Sequence, residues 1–244
     1  MDGYSDSNLD NNLNIDLTFQ EQFLKDNSKQ DRRKEGQFFT PLECANKLLH
    51  IILEQSESKH IFKETNTTLK ILEPSVGTGV FIDSWYKFYK DKKIKRQYSL
   101  KCIELNQDLY QHVKDKWENI NTENNTDNNI ENTENIDNNE TVNNCISVSK
   151  DNFLLSPILN NESYHLIIGN PPYFELKKER KNPYLEFYGD IMQGRPNIYA
   201  LFIYKSILLL KRSGICGLIL SPSFFNGSYF SALRHWMYNK IHIL

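Results

Sequence analysis

From Leu69 to the end of the chain, short apolar runs alternate with stretches of helical period, and this alternation restricts the fold more than any other feature. Runs at 69–72, 98–105, 145–148, 165–168 and 215–220 read as strands; 80–90, 106–118 and 197–212 read as helices, with another from Tyr229 to about Tyr238. Strands separated by helices cannot pair as hairpins. They form a mostly parallel sheet with right-handed crossovers and helices on both faces, an α/β architecture. Ligands of such sheets bind beyond the C-terminal strand ends, where the strand order reverses. Residues directly after strands are therefore the candidates for chemistry.

Upstream, Thr18-Phe19-Gln20-Glu21 has the form of a capping box opening a helix from Phe19 to about Lys25. Thr40, Pro41 and Glu43 supply the cap, first-position and third-position chemistry of a second helix, from Pro41 to about Gln55, with Leu42, Ala45, Leu48, Leu49, Ile52 and Leu53 on its apolar side. Residues 119–144 are almost entirely Asn, Glu, Asp and Thr, too little apolar surface to offset ordering entropy, and are expected to be a disordered insertion in a surface loop. The expected organisation is an acidic N-terminal segment, 1–31, followed by one catalytic domain, 32–244.

The net charge of −2 argues against nucleic acid only until the acids are located. Outside 1–31 and 119–144 the chain carries 27 basic and 18 acidic residues, and local field governs the steering of a polyanion. No run approaches the roughly 20 apolar residues of a membrane span, and the N-terminus lacks the flanks of a signal peptide, so a soluble cytoplasmic protein with no membrane partner is expected. Cys44, Cys102, Cys145 and Cys216 lie far apart, without CxxC spacing, and read as reduced thiols with no metal.

The first strand ends in Glu73-Pro74-Ser75-Val76-Gly77-Thr78-Gly79. Glycines there permit a tight turn and a close approach of ligand to backbone. A carboxylate at that strand end suits a cationic or hydroxyl-bearing ligand and would repel a pyrophosphate. The second strand ends in Glu104, where a ribose hydroxyl pair is bound in nucleoside-binding α/β folds; a solvated strand end is the equal alternative. After the third strand, Asp151, Asn152 and Phe153 offer acceptors for an exocyclic amine and a ring face, or a helix cap followed by core.

The most informative stretch follows the fourth strand: Gly169-Asn170-Pro171-Pro172-Tyr173. Two prolines stiffen the backbone and remove two donors, leaving acceptors. Asn170 Oδ1 and the Pro171 carbonyl can accept both hydrogens of an exocyclic amine, drawing the nitrogen toward tetrahedral geometry and freeing its lone pair. Tyr173 can stack on a base turned out of its duplex.

GQFFTP, LEPSVGTGVF, IELN, DNFLL, IIGNPPY and the stretch from Asn197 to Met237, in that order, resemble the motifs of gamma-class DNA adenine-N6 methyltransferases of restriction-modification systems, over Arg32 to the last residue apart from the Asn-rich insertion. The resemblance implies a Rossmann-like S-adenosylmethionine-dependent methyltransferase fold with its C-terminal strands incomplete, S-adenosyl-L-methionine as cofactor, and double-stranded DNA with a flipped adenine as substrate. It implies that Thr40 and Pro41 contact the methionine part of the cofactor, and that Glu73, Pro74, Ser75, Gly77 and Gly79 shape its pocket. Glu104 would bind the ribose, and Asp151, Asn152 and Phe153 the adenine end. Asn170, Pro171, Pro172 and Tyr173 would hold and activate the target adenine, Asn170 also bordering the cofactor. Asn152 stands where the family has Asp, with Asp151 one residue earlier.

Ile241-His242-Ile243-Leu244 reads as the opening of a sixth strand. On this resemblance the seventh strand and target-recognition domain lie outside the sequence, supplied by a longer chain or by a specificity subunit, with an associated nuclease as a further partner. Two rivals stay open: NPPY also occurs in enzymes methylating protein glutamine or RNA guanine, and a truncated chain can survive as an inactive binding module.

Overall fold

The computed structural model describes residues 19–28, 36–54, 59–63, 66–126, 144–157, 159, 162–176, 182–191, 197–238 and 240–243. Five strands, β1 (Leu69–Glu73), β2 (Tyr98–Glu104), β3 (Cys145–Lys150), β4 (Tyr164–Gly169) and β5 (Leu210–Leu218), form one sheet in the order β3-β2-β1-β4-β5. Every neighbouring pair is parallel. The chain steps outward from β1 to β3, then returns to place β4 on the other side of β1. The strand order therefore reverses between β1 and β4, and loops leaving these two strands diverge to opposite faces, opening a crevice between them.

Helices α1 (19–26), α2 (Leu42–Glu54), α3 (Val80–Asp91), α4 (Gln107–Thr126), α5 (Ile198–Leu208) and α6 (Ser231–Tyr238) surround the sheet. The pleat sorts the strand side chains to two cores. Leu69, Ile71, Leu100, Leu166 and Ile168 pack with Leu49 and Ile52 of α2, Phe81 and Trp85 of α3, and Val113 and Trp117 of α4. Leu72, Ile103 and Ile167 point the other way, against Leu201, Phe202 and Ile203 of α5 and Leu233 of α6. Helix α5 is buried almost all round, from Ile198 through Ile203, Lys205 and Ser206. Helix α1 lies against α4 through Phe19 stacked on His112, with ring centroids 3.7 Å apart, and it buries Phe23.

Three boundaries differ from expectation. Helix α5 ends at Leu208 and not near 212, because the Leu209 carbonyl accepts from the Tyr164 N–H and Leu210 pairs with Tyr164. The β4 ladder captures a segment whose local sequence favours helix. The register then slips between Tyr164 and Leu166, with Ser213 at φ 62, so β5 begins five residues earlier than its apolar run at 215–220. Helix α4 continues to Thr126, into the segment expected to be disordered. Leu109, Val113 and Trp117 anchor its first turns, and extending a nucleated helix costs far less than starting one. The rest of that insertion, 127–143, lies outside the described residues, as do Thr18 and the basic run at 32–34. Ile241–Ile243 join no sheet, since no ladder partner lies beside them among the described residues.

Residues 127–143 connect α4 to the N-terminal end of β3, away from the strand ends that face the crevice. Replacing them with a short Gly/Ser linker should leave cooperative unfolding intact and shift the melting temperature by only a few degrees, roughly the 0.6 kcal/mol per halving of loop length. Loss of a cooperative melt by circular dichroism would show that this segment is part of the fold.

Candidate functional site

The loops leaving β1, β2, β3 and β4, together with residues 36–40 ahead of α2, surround a cleft of about 530 Å³. That volume lies within the range of small-molecule sites. Its base is built by backbone. The Val76 N–H donates to the Ile103 carbonyl and the Asp151 N–H to the Glu104 carbonyl, so each loop starts from a fixed point on the neighbouring strand.

Glu104 stands at the centre. Its Oε2 accepts from the Gly77 N–H at 2.8 Å and its Oε1 from the Asn106 N–H at 2.8 Å. Gly77 holds φ 58, a conformation glycine adopts freely, and a Cβ there would meet no protein atom, because it would project into open space. Each carboxylate oxygen has a second acceptor site, so the two backbone bonds leave Glu104 able to take hydroxyls of a ligand. Asn106 caps α4, accepting from the N–H groups of Asp108 and Leu109.

Glu73 lies behind the lining. Its side chain is fully buried and neither oxygen has a partner among the described residues. Burial, then the carboxylates of Asp83 and Glu104, push its carboxyl well above the usual range. An unpaired buried acid of this kind costs stability unless it is neutral or meets a cation.

On the third loop, Asn152 is committed to the turn: its Oδ1 accepts from the Leu154 N–H at 3.0 Å and its Nδ2 donates to the Tyr184 hydroxyl at 3.3 Å. Asp151 Oδ1 accepts from the Asn152 N–H at 2.7 Å. Its second oxygen accepts no hydrogen bond among the described residues. Of this pair Asp151 therefore has the free acceptor.

The fourth loop joins the cleft to the segment before α2. Asn170 Nδ2 donates to Thr40 Oγ1 at 3.0 Å, and Ser75 Oγ donates to the Asn170 carbonyl at 3.0 Å. The Tyr173 N–H donates to the Gly36 carbonyl at 3.2 Å. A Cβ on Gly36 would come within 2.5 Å of that nitrogen, and its φ is 65, so only glycine permits the approach. The Tyr173 hydroxyl reaches both Asn170 Oδ1, at 2.7 Å, and the Ile219 carbonyl. One hydroxyl proton serves one acceptor at a time. Burial and the neighbouring Tyr199 push this phenol up to about 12, so it stays a donor at neutral pH. Its ring lies edge-on to Phe38, with centroids 6.0 Å apart.

Of the residues singled out in the sequence, Thr40, Pro74, Ser75, Gly77, Glu104, Asp151, Asn152, Phe153, Asn170 and Pro172 line the cleft. Pro41, Glu73, Gly79, Pro171 and Tyr173 do not; they lie beside or beneath it. Sequence reasoning missed Tyr184, Ile198 and Phe202, which close the cleft from the β4–β5 connection. A helix apolar on every side gives no period that marks which residue faces a ligand. Leu105, Asn106 and Gln107 were within reach, since they directly follow a strand.

The family model described as Eco57I restriction-modification methylase matches residues 7–244. The chain is 25% identical over 230 residues to the type II methyltransferase M.AccI of Acinetobacter calcoaceticus, covering 91% of this chain and 34% of that protein. It thus spans about a third of the length of that relative. Among solved structures, a protein from Listeria monocytogenes assigned to the class I S-adenosylmethionine-dependent methyltransferases superposes with a TM-score of 0.58 at 13% identity, over 93% of this chain and 59% of that one. The DrdV–DNA complex superposes with a TM-score of 0.57 at 21% identity, over 84% of this chain and 22% of that one.

A carboxyl raised in the folded state favours folding while protonated, and the advantage is lost as pH rises from the ordinary carboxylate value through the raised one. Without ligand, Glu73→Gln should therefore melt several degrees above wild type at about pH 8, the gap closing near pH 4. Equal melting curves at both pH values would show that Glu73 is not held as described.

Proposed function

The chain belongs to the Eco57I restriction-modification methylase family, and from that membership we propose that it is the methyl-transferring part of a gamma-class DNA adenine-N6 methyltransferase. The cofactor is S-adenosylmethionine. The cleft fits it: Glu73, buried behind the lining without a partner among the described residues, is an acid that a cationic ligand would favour in its ionised form, and the carboxylates of Glu104 and Asp151 suit ribose hydroxyls and an adenine amine. Pro74, Ser75, Gly77 and Gly79 shape the methionine side with Thr40 and Pro41, while Asn152 and Phe153 support the adenine end. S-adenosylmethionine supplies an electrophilic methyl group on a sulfonium.

The observation that carries the adenine reading is Asn170, a residue of the NPPY sequence that lines the cleft and is held by Thr40, so that its acceptor lies beside the cofactor site. In the proposed mechanism Asn170 Oδ1 and the Pro171 carbonyl accept the two hydrogens of the adenine N6 amine. This would concentrate the lone pair on nitrogen, which would take the methyl group as its bond to sulfur breaks, the sulfur leaving as a neutral thioether and the methylated amine releasing one N–H proton to solvent. Pro172 stiffens the turn, and Tyr173 releases Asn170 and stacks on the base. The adenine must leave its stack, an unpairing cost of a few kcal/mol offset by such contacts. Sequence reading falls to a C-terminal target-recognition domain or a specificity subunit, with an associated nuclease in the same system.

The decisive assay supplies labelled cofactor and DNA, protein or RNA to the complete protein. Label should appear as N6-methyladenine in DNA; label only in protein or RNA would overturn the proposal. Glu104→Ala should weaken cofactor binding by about ten- to a hundredfold, the range of hydrogen bonds to charged groups. Asn170→Ala should bind cofactor almost normally while transfer falls about a hundredfold or more, because its acceptor acts on the transition state. Tyr173→Ala should weaken engagement of the flipped base by roughly 1 to 3 kcal/mol. Near-normal transfer by Asn170→Ala would remove the amine-activation step.

A further inference from the structure

Lys205 lies in the last turn of α5, on the side that packs against the third loop, and is only 7% exposed. Its ammonium donates to the carbonyls of Leu154 at 3.3 Å and Ser156 at 3.1 Å, and sits 5.3 Å from the centre of the Phe153 ring. That ring in turn lies 5.0 Å from Phe202, one turn before Lys205 on the same helix. Burying an ammonium costs several kcal/mol. Leucine or methionine would fill the space without that cost, so the charge calls for a reason of its own.

The reason lies in the loop it holds. Residues 151–156 form a tight turn in which the N–H groups of Leu155 and Ser156 donate to the Asn152 carbonyl, and Asp151, Asn152, Phe153 and Leu154 present its outer side to the cleft. At the inner end, two carbonyls point into an apolar core. The Tyr188 hydroxyl also donates to the Leu154 carbonyl, at 2.7 Å, whereas the Ser156 carbonyl takes its hydrogen bond from Lys205. Burial pushes the Lys205 ammonium down, and the Asp151 carboxylate works against that shift.

We infer that Lys205 is a positioning residue for the adenine end of the cofactor: it bolts the 151–156 turn to α5, fixing where Asp151 offers its free acceptor and where Phe153 offers its ring. The inference rests on the cleft being the cofactor site, and Glu104→Ala serves as the control for that reading.

The test is calorimetric titration of the chain with S-adenosylhomocysteine and with S-inosylhomocysteine, which carries a carbonyl where adenine has its amine. Wild type should prefer the adenine ligand. In Lys205→Met, S-adenosylhomocysteine should bind about tenfold more weakly and the preference should narrow several-fold, while the melting temperature stays at or above that of wild type, since an apolar replacement for a buried ion is often stabilising. Lys205→Gln, which keeps two N–H donors and loses the charge, is read in the same way should Lys205→Met not fold. An unchanged preference in the folded variant, with Glu104→Ala binding poorly, would overturn the role of Lys205. Normal binding by Glu104→Ala would instead show that the cofactor site lies elsewhere and remove the premise.

Discussion

One carboxylate ties the working end of the sheet together. Glu104 leaves β2 and takes one backbone N–H from the glycine turn after β1 and another from the cap of its own following helix. Both bonds are charge-assisted, and both lie in a nearly buried position where such bonds gain strength from the low dielectric. The turn at Gly77 and the start of α4 are thereby fixed relative to each other before any ligand arrives. Because Asp151 hangs from the Glu104 carbonyl and Ser75 reaches the Asn170 carbonyl, the third and fourth loops inherit the same reference. A ligand entering the cleft meets a preorganised surface, and little of its binding energy is spent on ordering the protein.

Two buried charges of opposite sign flank this surface and behave differently. Lys205 donates to two carbonyls of the third loop, which offsets part of the cost of its burial. Glu73 is unpartnered, with other carboxylates for neighbours. A fold selected only for stability would place an apolar side chain at either position. On the proposed function, stability and activity part company at Glu73, where a site for a cationic ligand keeps a buried acid.

The sheet was legible because strand signals are local: apolar runs of four to eight residues closed by Pro, Gly or Asn mark β1 to β4 almost to the residue. The failures arose where a distant partner decided. The end of α5 is set by Tyr164, far away in sequence, and the start of β5 by a register slip that no local pattern encodes. In the cleft, residues following strands could be named from topology alone. Gly36 could not be singled out, because its requirement is the nearness of the Tyr173 backbone nitrogen, and neither could Tyr184 or Phe202, which reach the cleft from an irregular connection and an all-apolar helix. Asp151 and Asn152 were ambiguous in sequence, and hydrogen bonding separates them: Asn152 is spent on its own turn.

The two acceptors within reach of the Tyr173 hydroxyl let that hydroxyl stand as a placeholder at Asn170. On the proposed function, an amine arriving at Asn170 would displace a phenol that already has somewhere else to donate, the Ile219 carbonyl, and the new bond at Asn170 would replace one the amine already makes to water. Exchange of this kind confers little affinity on a loose purine drifting in from solvent. On the proposed function, occupancy would be decided by what the exchange leaves unbalanced, the stacking of the base and the hold on whatever polymer carries it, so free nucleosides would be turned away without any element devoted to excluding them.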